Sequence, residues 1–149
     1  MRKQLPIFVT FVLVLGAIGL SYGAGAKRKI VTPKDFPAGR PFSAGIQVGD
    51  TLYVSGQTGT DPKTQKVPEN FDEEVRQCLE NVGVILKAGG MDFQDAVSVQ
   101  VYLTDMTMFP RMNAVYVHTF PDPKPTRTTV GVAALSGGSH IEVTVTARR

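Results

Sequence analysis

From about residue 29 onward the chain alternates between two hydrophobic patterns. Every-other alternation marks strands with one apolar face, and apolar residues three and four apart mark amphipathic helices. Residues 29–32 predict a short strand ending at Pro33. Residues 43–48 and 51–55 predict two more strands, joined by Gly49-Asp50, a two-residue connection with glycine first that suits a tight hairpin. A polar loop rich in glycine and proline, GQTGTDPKTQKVP, follows. Val75, Cys78, Leu79, Val82, Ile85 and Leu86 then recur at helical spacing. Asn70 can cap that helix with Glu73 three residues on, and Gly89-Gly90 ends it.

Residues 96–103 predict a strand with Val97, Val99, Val101 and Leu103 on one face. A second helix is expected from near Thr107 to about Phe120, with Pro110 in its first turn, where a missing N–H costs nothing. Its stripe is Phe109, Met112, Tyr116 and Phe120, and Pro121, Pro123 and Pro125 break the chain after it. Two alternating runs close the sequence, 126–132 and 140–147. In the first, Thr128, Val130 and Val132 share the expected apolar face, leaving Arg127, Thr129 and Gly131 on the other. In the second, Ile141, Val143 and Val145 share the apolar face and Glu142, Thr144 and Thr146 the polar one. The order β-β-β-α-β-α-β-β predicts a single α+β domain with the helices packed on one face of one sheet.

The non-core faces of the last two strands would therefore carry an arginine and a glutamate. Arg127 offers a planar fork that fits a carboxylate, and Glu142 can orient or deprotonate a water. A plain salt bridge on a sheet face is the competing reading of the same two residues. If these strands pair directly across the 133–139 loop, Glu142 lies nearer Val130 than Arg127, unless a bulge changes the register.

Residues 1–26 stand apart from the domain at 27–149. Arg2 and Lys3 precede an uncharged, mostly apolar run from 5 to 20, and SYGAGA follows with an Ala-x-Ala pattern. That is the layout of a secretory signal peptide, which places the domain in the periplasm or outside the cell. The alternative is an uncleaved membrane anchor, since no charge falls between Arg2 and Lys27. Without Arg2 and Lys3 the chain holds 14 basic against 13 acidic residues, so a strongly basic nucleic-acid footprint is missing.

The 149 residues are enough for one domain with a core, and Cys78, the only cysteine, permits neither an internal disulfide nor a cysteine-rich zinc site. Cys78 falls on an apolar stripe and reads as a buried small hydrophobe. His118 reads as an exposed helix residue and His140 as a loop-edge residue, without acidic helpers at metal-ligand spacing. The sequence contains no Walker loop, no dinucleotide fingerprint after a strand and no G-x-S-x-G elbow. Chemistry is left to Arg, Glu, hydroxyls and backbone groups, with no metal or organic cofactor expected.

PFSAGIQVGDTLYVSGQTGTDPKTQKVP, QCLENVGVILKAGG, VQVYLTDM, NAVYVHTF and above all PTRTTVGVAAL…IEVTVTARR together resemble the RidA family, also called YjgF. The resemblance spans nearly all of 31–149. It implies a chorismate-mutase-like α+β fold with a single mixed sheet, and a homotrimer with clefts between subunits. It implies hydrolysis of reactive enamines and imines, typified by 2-aminoacrylate, to 2-keto acids and ammonia. By position, Arg127 would grip the substrate carboxylate and Glu142 would place the attacking water. Ser55 and Gly56 would line the pocket, Asn113 would sit near the cleft, and Thr129 stands where the family often has cysteine. The family's pocket tyrosine falls at Phe42, which keeps the ring and loses the hydroxyl. A non-catalytic binding or chaperone-like module and a ribonuclease are the other functions the sequence leaves open.

Overall fold

The computed structural model describes residues 26–149. The signal or anchor segment expected at 1–26 lies outside the described residues, apart from Ala26. The chain forms β1 (Arg28–Val31), β2 (Gly45–Val48), β3 (Thr51–Thr58), α1 (Phe71–Ala88), β4 (Ala96–Leu103), α2 (Phe109–Thr119), β5 (Thr126–Gly131) and β6 (Ile141–Arg148). These are the expected elements in the expected order. The strands make one mixed sheet in the order β1-β2-β3-β6-β4-β5. Neighbours run antiparallel except β4 and β5, which are parallel and joined through α2.

Local chemistry accounts for the elements. Gly49 takes φ +60 in the hairpin that joins β2 to β3, a conformation costly for any residue with a Cβ. The Asn70 side chain accepts from the Asp72 and Glu73 amides, satisfying two of the four orphan donors that open α1. Asp72, Glu73 and Glu74 lie in that first turn and Lys87 in the last, in line with the helix dipole. Pro110 sits in the first turn of α2. Arg111 of α2 reaches Asp72 of α1 at 2.8 Å and ties the helices together.

Both helices cover one face of the sheet. Leu52, Val54, Val99, Val101, Leu103, Ile141, Val143, Val145 and Ala147 point up from the strands to meet Val75, Leu79, Val82, Ile85 and Leu86 of α1 and Met112 and Tyr116 of α2, all buried. Cys78 is fully buried in this core. Burial pushes its thiol pKa up, and the nearby Glu74 carboxylate adds to the shift. A thiol reagent at pH 8 is therefore expected to leave native Cys78 unmodified and to label it once denaturant opens the core; rapid labelling of the folded protein would contradict this packing.

The strand register settles one open alternative and overturns two expectations. β5 and β6 do not pair, because β4 lies between them. The parallel crossover through α2 delivers β5 to the outer edge of β4, and the more apolar β6 takes the interior position, where its other edge meets β3. Val97 is not on the inner face with Val99. The β4–β6 register shifts between Ala96 and Ser98, so Ala96 turns inward and Val97 is exposed. Arg127 faces the opposite side of the sheet from the one expected. Partners directly opposite in a ladder point to the same face. Arg127 and Thr129 lie opposite Val99 and Val101, so they share the helix-covered face, while Val130 lies on the open face and is exposed.

Candidate active site

The site residues fall into two groups on opposite faces of the sheet. The first surrounds Glu142. The β3–β6 register runs Val54↔Val145 and then Gln57↔Val143. Three steps on β3 thus match two on β6, which is a bulge at Ser55-Gly56. The Gln57 side-chain amide donates to the Ser55 and Gly56 carbonyls at 3.0 and 2.9 Å and holds the bulge from within its own strand. The Ser55 hydroxyl donates to the Ser43 carbonyl at 2.7 Å, which fixes the segment carrying Phe42. Ser55 therefore acts as a brace.

Gly56 lies under the Glu142 carboxylate. A Cβ built there would collide with Glu142 Oε1 and stand 2.9 Å from Glu142 Cδ. Glu142 is opposite Thr58 on β3 and Tyr102 on β4, facing the open side of the sheet. On the same side, Phe42, Ser43, Ile46, Tyr53 and Ser55 help to line a shallow cleft of about 410 Å³. Phe42 is half exposed at 50% and meets Phe36 edge-on at 6.3 Å between centroids.

The second group surrounds Arg127 on the helix-covered face. The guanidinium carbon lies 4.5 Å from the Tyr116 ring centroid and 5.5 Å from that of Phe109. Two aromatic faces thus hold it by cation–π attraction. Among the described residues no carboxylate lies within salt-bridge reach of Arg127, so its charge is free to meet an anion from outside. Burial raises the pKa of the Tyr116 hydroxyl, and the Arg127 charge pulls it partly back. Asn113 sits between Phe109 and Tyr116 along α2, four residues after one and three before the other, and so on the same side of the helix. Thr129 follows Arg127 by two on β5 and shares its face. The Thr129 and Tyr116 hydroxyls are buried without hydrogen-bond partners among the described residues.

Within one chain these groups do not meet. Arg127 is level with Val99 of β4 and Glu142 with Tyr102. Two strand spacings across and three residues along separate their Cα atoms by about 14 Å, with the side chains on opposite faces. This excludes a plain intrachain Arg127–Glu142 salt bridge.

A family model described as Endoribonuclease L-PSP matches residues 32–149. The chain belongs to the RidA (YjgF) family. The mouse protein named 2-iminobutanoate/2-iminopropanoate deaminase is 42% identical over 118 residues, which is 78% of this chain and 87% of the mouse one. RidA from an Antarctic Psychrobacter superposes with a TM-score of 0.73 at 35% identity, covering 80% of this chain and 94% of that one. E. coli TdcF, solved with bound serine, superposes at 0.74 and 31% identity, covering 81% and 98%. The six-stranded mixed sheet with two helices on one face is the fold of these RidA-family neighbours.

Sequence reasoning missed two features near these residues, the rings that seat Arg127 and the buried Glu74 carboxylate, which accepts from the His140 and Ile141 amides just before Glu142. The aromatic seat of Arg127 was visible only as a core stripe of α2, and Glu74 went unremarked. The signal for Glu74 was present: it is an acidic residue four positions before Cys78, on the same side of α1.

Proposed function

We propose that the protein is an enamine/imine deaminase, with its sites in clefts between copies of a homotrimer. The carrying observation is a split site: an un-neutralised, aromatically seated guanidinium on one face and a carboxylate over a glycine bulge on the other. A second copy can bring them together. The open face offers a surface for such assembly, since Ile30, Tyr53 and Val130 stand exposed there among polar residues such as Gln100, Thr144 and Thr146, and exposed large apolar side chains mark contact surfaces. The name of the mouse relative supports the reaction class, and the serine bound to TdcF supports a ligand bearing a carboxylate.

The chemistry follows from the residue types. An enamine of the 2-aminoacrylate kind becomes its protonated imine by taking a proton from solvent at carbon. Arg127 holds the carboxylate of that imine by two parallel hydrogen bonds and so fixes the adjacent C=N carbon. Glu142 takes a proton from a water as its oxygen bonds to that carbon. In the tetrahedral carbinolamine the nitrogen takes the proton that Glu142 returns, the C–N bond breaks as ammonia leaves, and the hydroxyl proton passes to the released ammonia as the C=O bond forms. The products are a 2-keto acid and ammonia, with no redox change.

The test follows keto-acid release from enzymatically generated 2-aminoacrylate. Arg127→Ala and Glu142→Ala proteins are each expected to be inactive alone. Dissociated and reassociated together, they are expected to regain activity, because some clefts then receive an intact Arg127 from one chain and an intact Glu142 from the next. Wild-type protein that releases keto acid no faster than buffer would overturn the deaminase reading. Active wild type with no recovery in hybrids would overturn the split site.

The family model's description favours a second reading, an endoribonuclease. The near balance of 14 basic and 13 acidic residues over 27–149 weighs against it, because phosphate binding draws on a basic surface.

A further inference from the structure

Behind the Glu142 half-site, three residues of α1 reach across to the strands. Glu74, Cys78 and Asn81 are spaced to share one side of the helix. The Cys78 thiol donates to the Gln57 carbonyl at 3.0 Å, just after the bulge. Asn81 Nδ2 donates to the Thr58 and Thr60 carbonyls, both at 2.9 Å. Glu74 Oε1 accepts from the His140 amide at 2.6 Å and from the Ile141 amide at 3.3 Å, while Oε2 lies 2.8 Å from His140 Nδ1. Glu74 is fully buried and His140 is about half exposed.

The buried carboxylate meets β6 where β3 leaves it. The last β3–β6 pair is Thr58↔Glu142, and the amides just before that pair turn to Glu74. A buried carboxyl group needs hydrogen-bond partners, and here the partners are two successive amides and a ring nitrogen. Gly59 makes the approach possible, since a Cβ there would collide with the Glu74 side chain and stand 2.5 Å from its carbonyl oxygen.

We propose that Glu74, steadied by His140, is a positioning residue for hydrolysis: it fixes the start of β6 so that Glu142 stays over Gly56. The inference rests on the deaminase role given to Glu142. The Ile141 amide held by Glu74 immediately precedes Glu142; β4 stays paired with both residues, so losing Glu74 loosens one attachment of the segment and lets the Glu142 side chain shift. Substrate binding at Arg127 rests on β5 and the Phe109 and Tyr116 rings of α2, none of which is a partner of Glu74 or His140 in this clamp.

The test compares wild type with Glu74→Ala, Glu74→Gln, His140→Ala and His140→Asn, all as folded oligomers. Glu74→Ala is expected to lower kcat by about 10- to 100-fold with KM nearly unchanged, the signature of a misplaced group away from the carboxylate grip. Glu74→Gln keeps an acceptor oxygen and is expected to retain most of the rate. His140→Ala is expected to lose a smaller part of kcat, and His140→Asn, whose amide reaches a similar point, to restore it. Crystal structures of Glu74→Ala and His140→Ala are expected to show Glu142 displaced from Gly56. Glu142 unmoved and kcat unchanged in either alanine variant would overturn the proposal. A failure of Glu74→Ala to fold leaves the decision to the His140 pair, at an accessible position. A wild type without turnover would sink the deaminase reading alone, and the place of Glu142 in the variant structures would still decide the clamp.

Discussion

Replacing Arg127 with lysine is expected to lower kcat/KM by about 100-fold, or roughly 2.7 kcal/mol of transition-state binding. The charge survives this change, so the loss isolates geometry. Lysine is a point charge on a flexible stem and cannot present two parallel donors to a carboxylate. It also forfeits the planar stacking on Tyr116 and Phe109, which hold the guanidinium carbon at 4.5 and 5.5 Å from their centroids. Arg127 lies on an edge strand and is only partly buried, so thermal stability is expected to change little. Steady-state kinetics with a melting curve on the same sample checks both halves. A kcat/KM close to wild type would remove Arg127 from the carboxylate grip.

Gly56→Ala is expected to produce the second large effect, about a 100-fold fall in kcat. The new methyl group would occupy the place of Glu142 Oε1. Since that oxygen ends a flexible side chain, it can swing aside at small cost, and the fold is expected to survive. What is lost is the carboxylate's position, to which water activation is sensitive. Glu142→Gln, which keeps the shape and removes the base, is expected to cost about 100- to 1,000-fold. If both changes act through one carboxylate, the double variant is hardly slower than Glu142→Gln alone. Effects that multiply would mean that Gly56 acts on something other than Glu142.

How much of this was legible in the sequence depends on how unambiguous each local pattern is. α1 was readable because its apolar spacing, its Asn70 cap and Gly89 agree. β6 was readable because Ile141, Val143, Val145 and Ala147 alternate strictly with polar residues and are all buried. β5 was not. In TRTTVG, small and polar residues occupy both alternating sets, so the run does not say which set faces inward. The parallel crossover decided it, placing Arg127 over the rings of α2, where its aliphatic stem can cover apolar surface. The bulge had a sequence cue in Gly56 within a strand, yet its role as a floor for Glu142 depends on a strand more than 80 positions later. The residues of the candidate site were thus nameable by type and position, while the division of the site between two faces required the strand order.

That division has a bearing on inheritance. On the split-site reading, every subunit of a closed ring borders two clefts, giving its arginine to one and its glutamate to the other. A gene copy that alters Arg127 alone spoils one cleft for each altered chain in a ring. A copy that alters both residues spoils the clefts on both of its sides, so a mixed ring loses more clefts than it has altered chains. The doubly altered allele would therefore act dominantly beside a normal one, although its product folds and assembles like its neighbours.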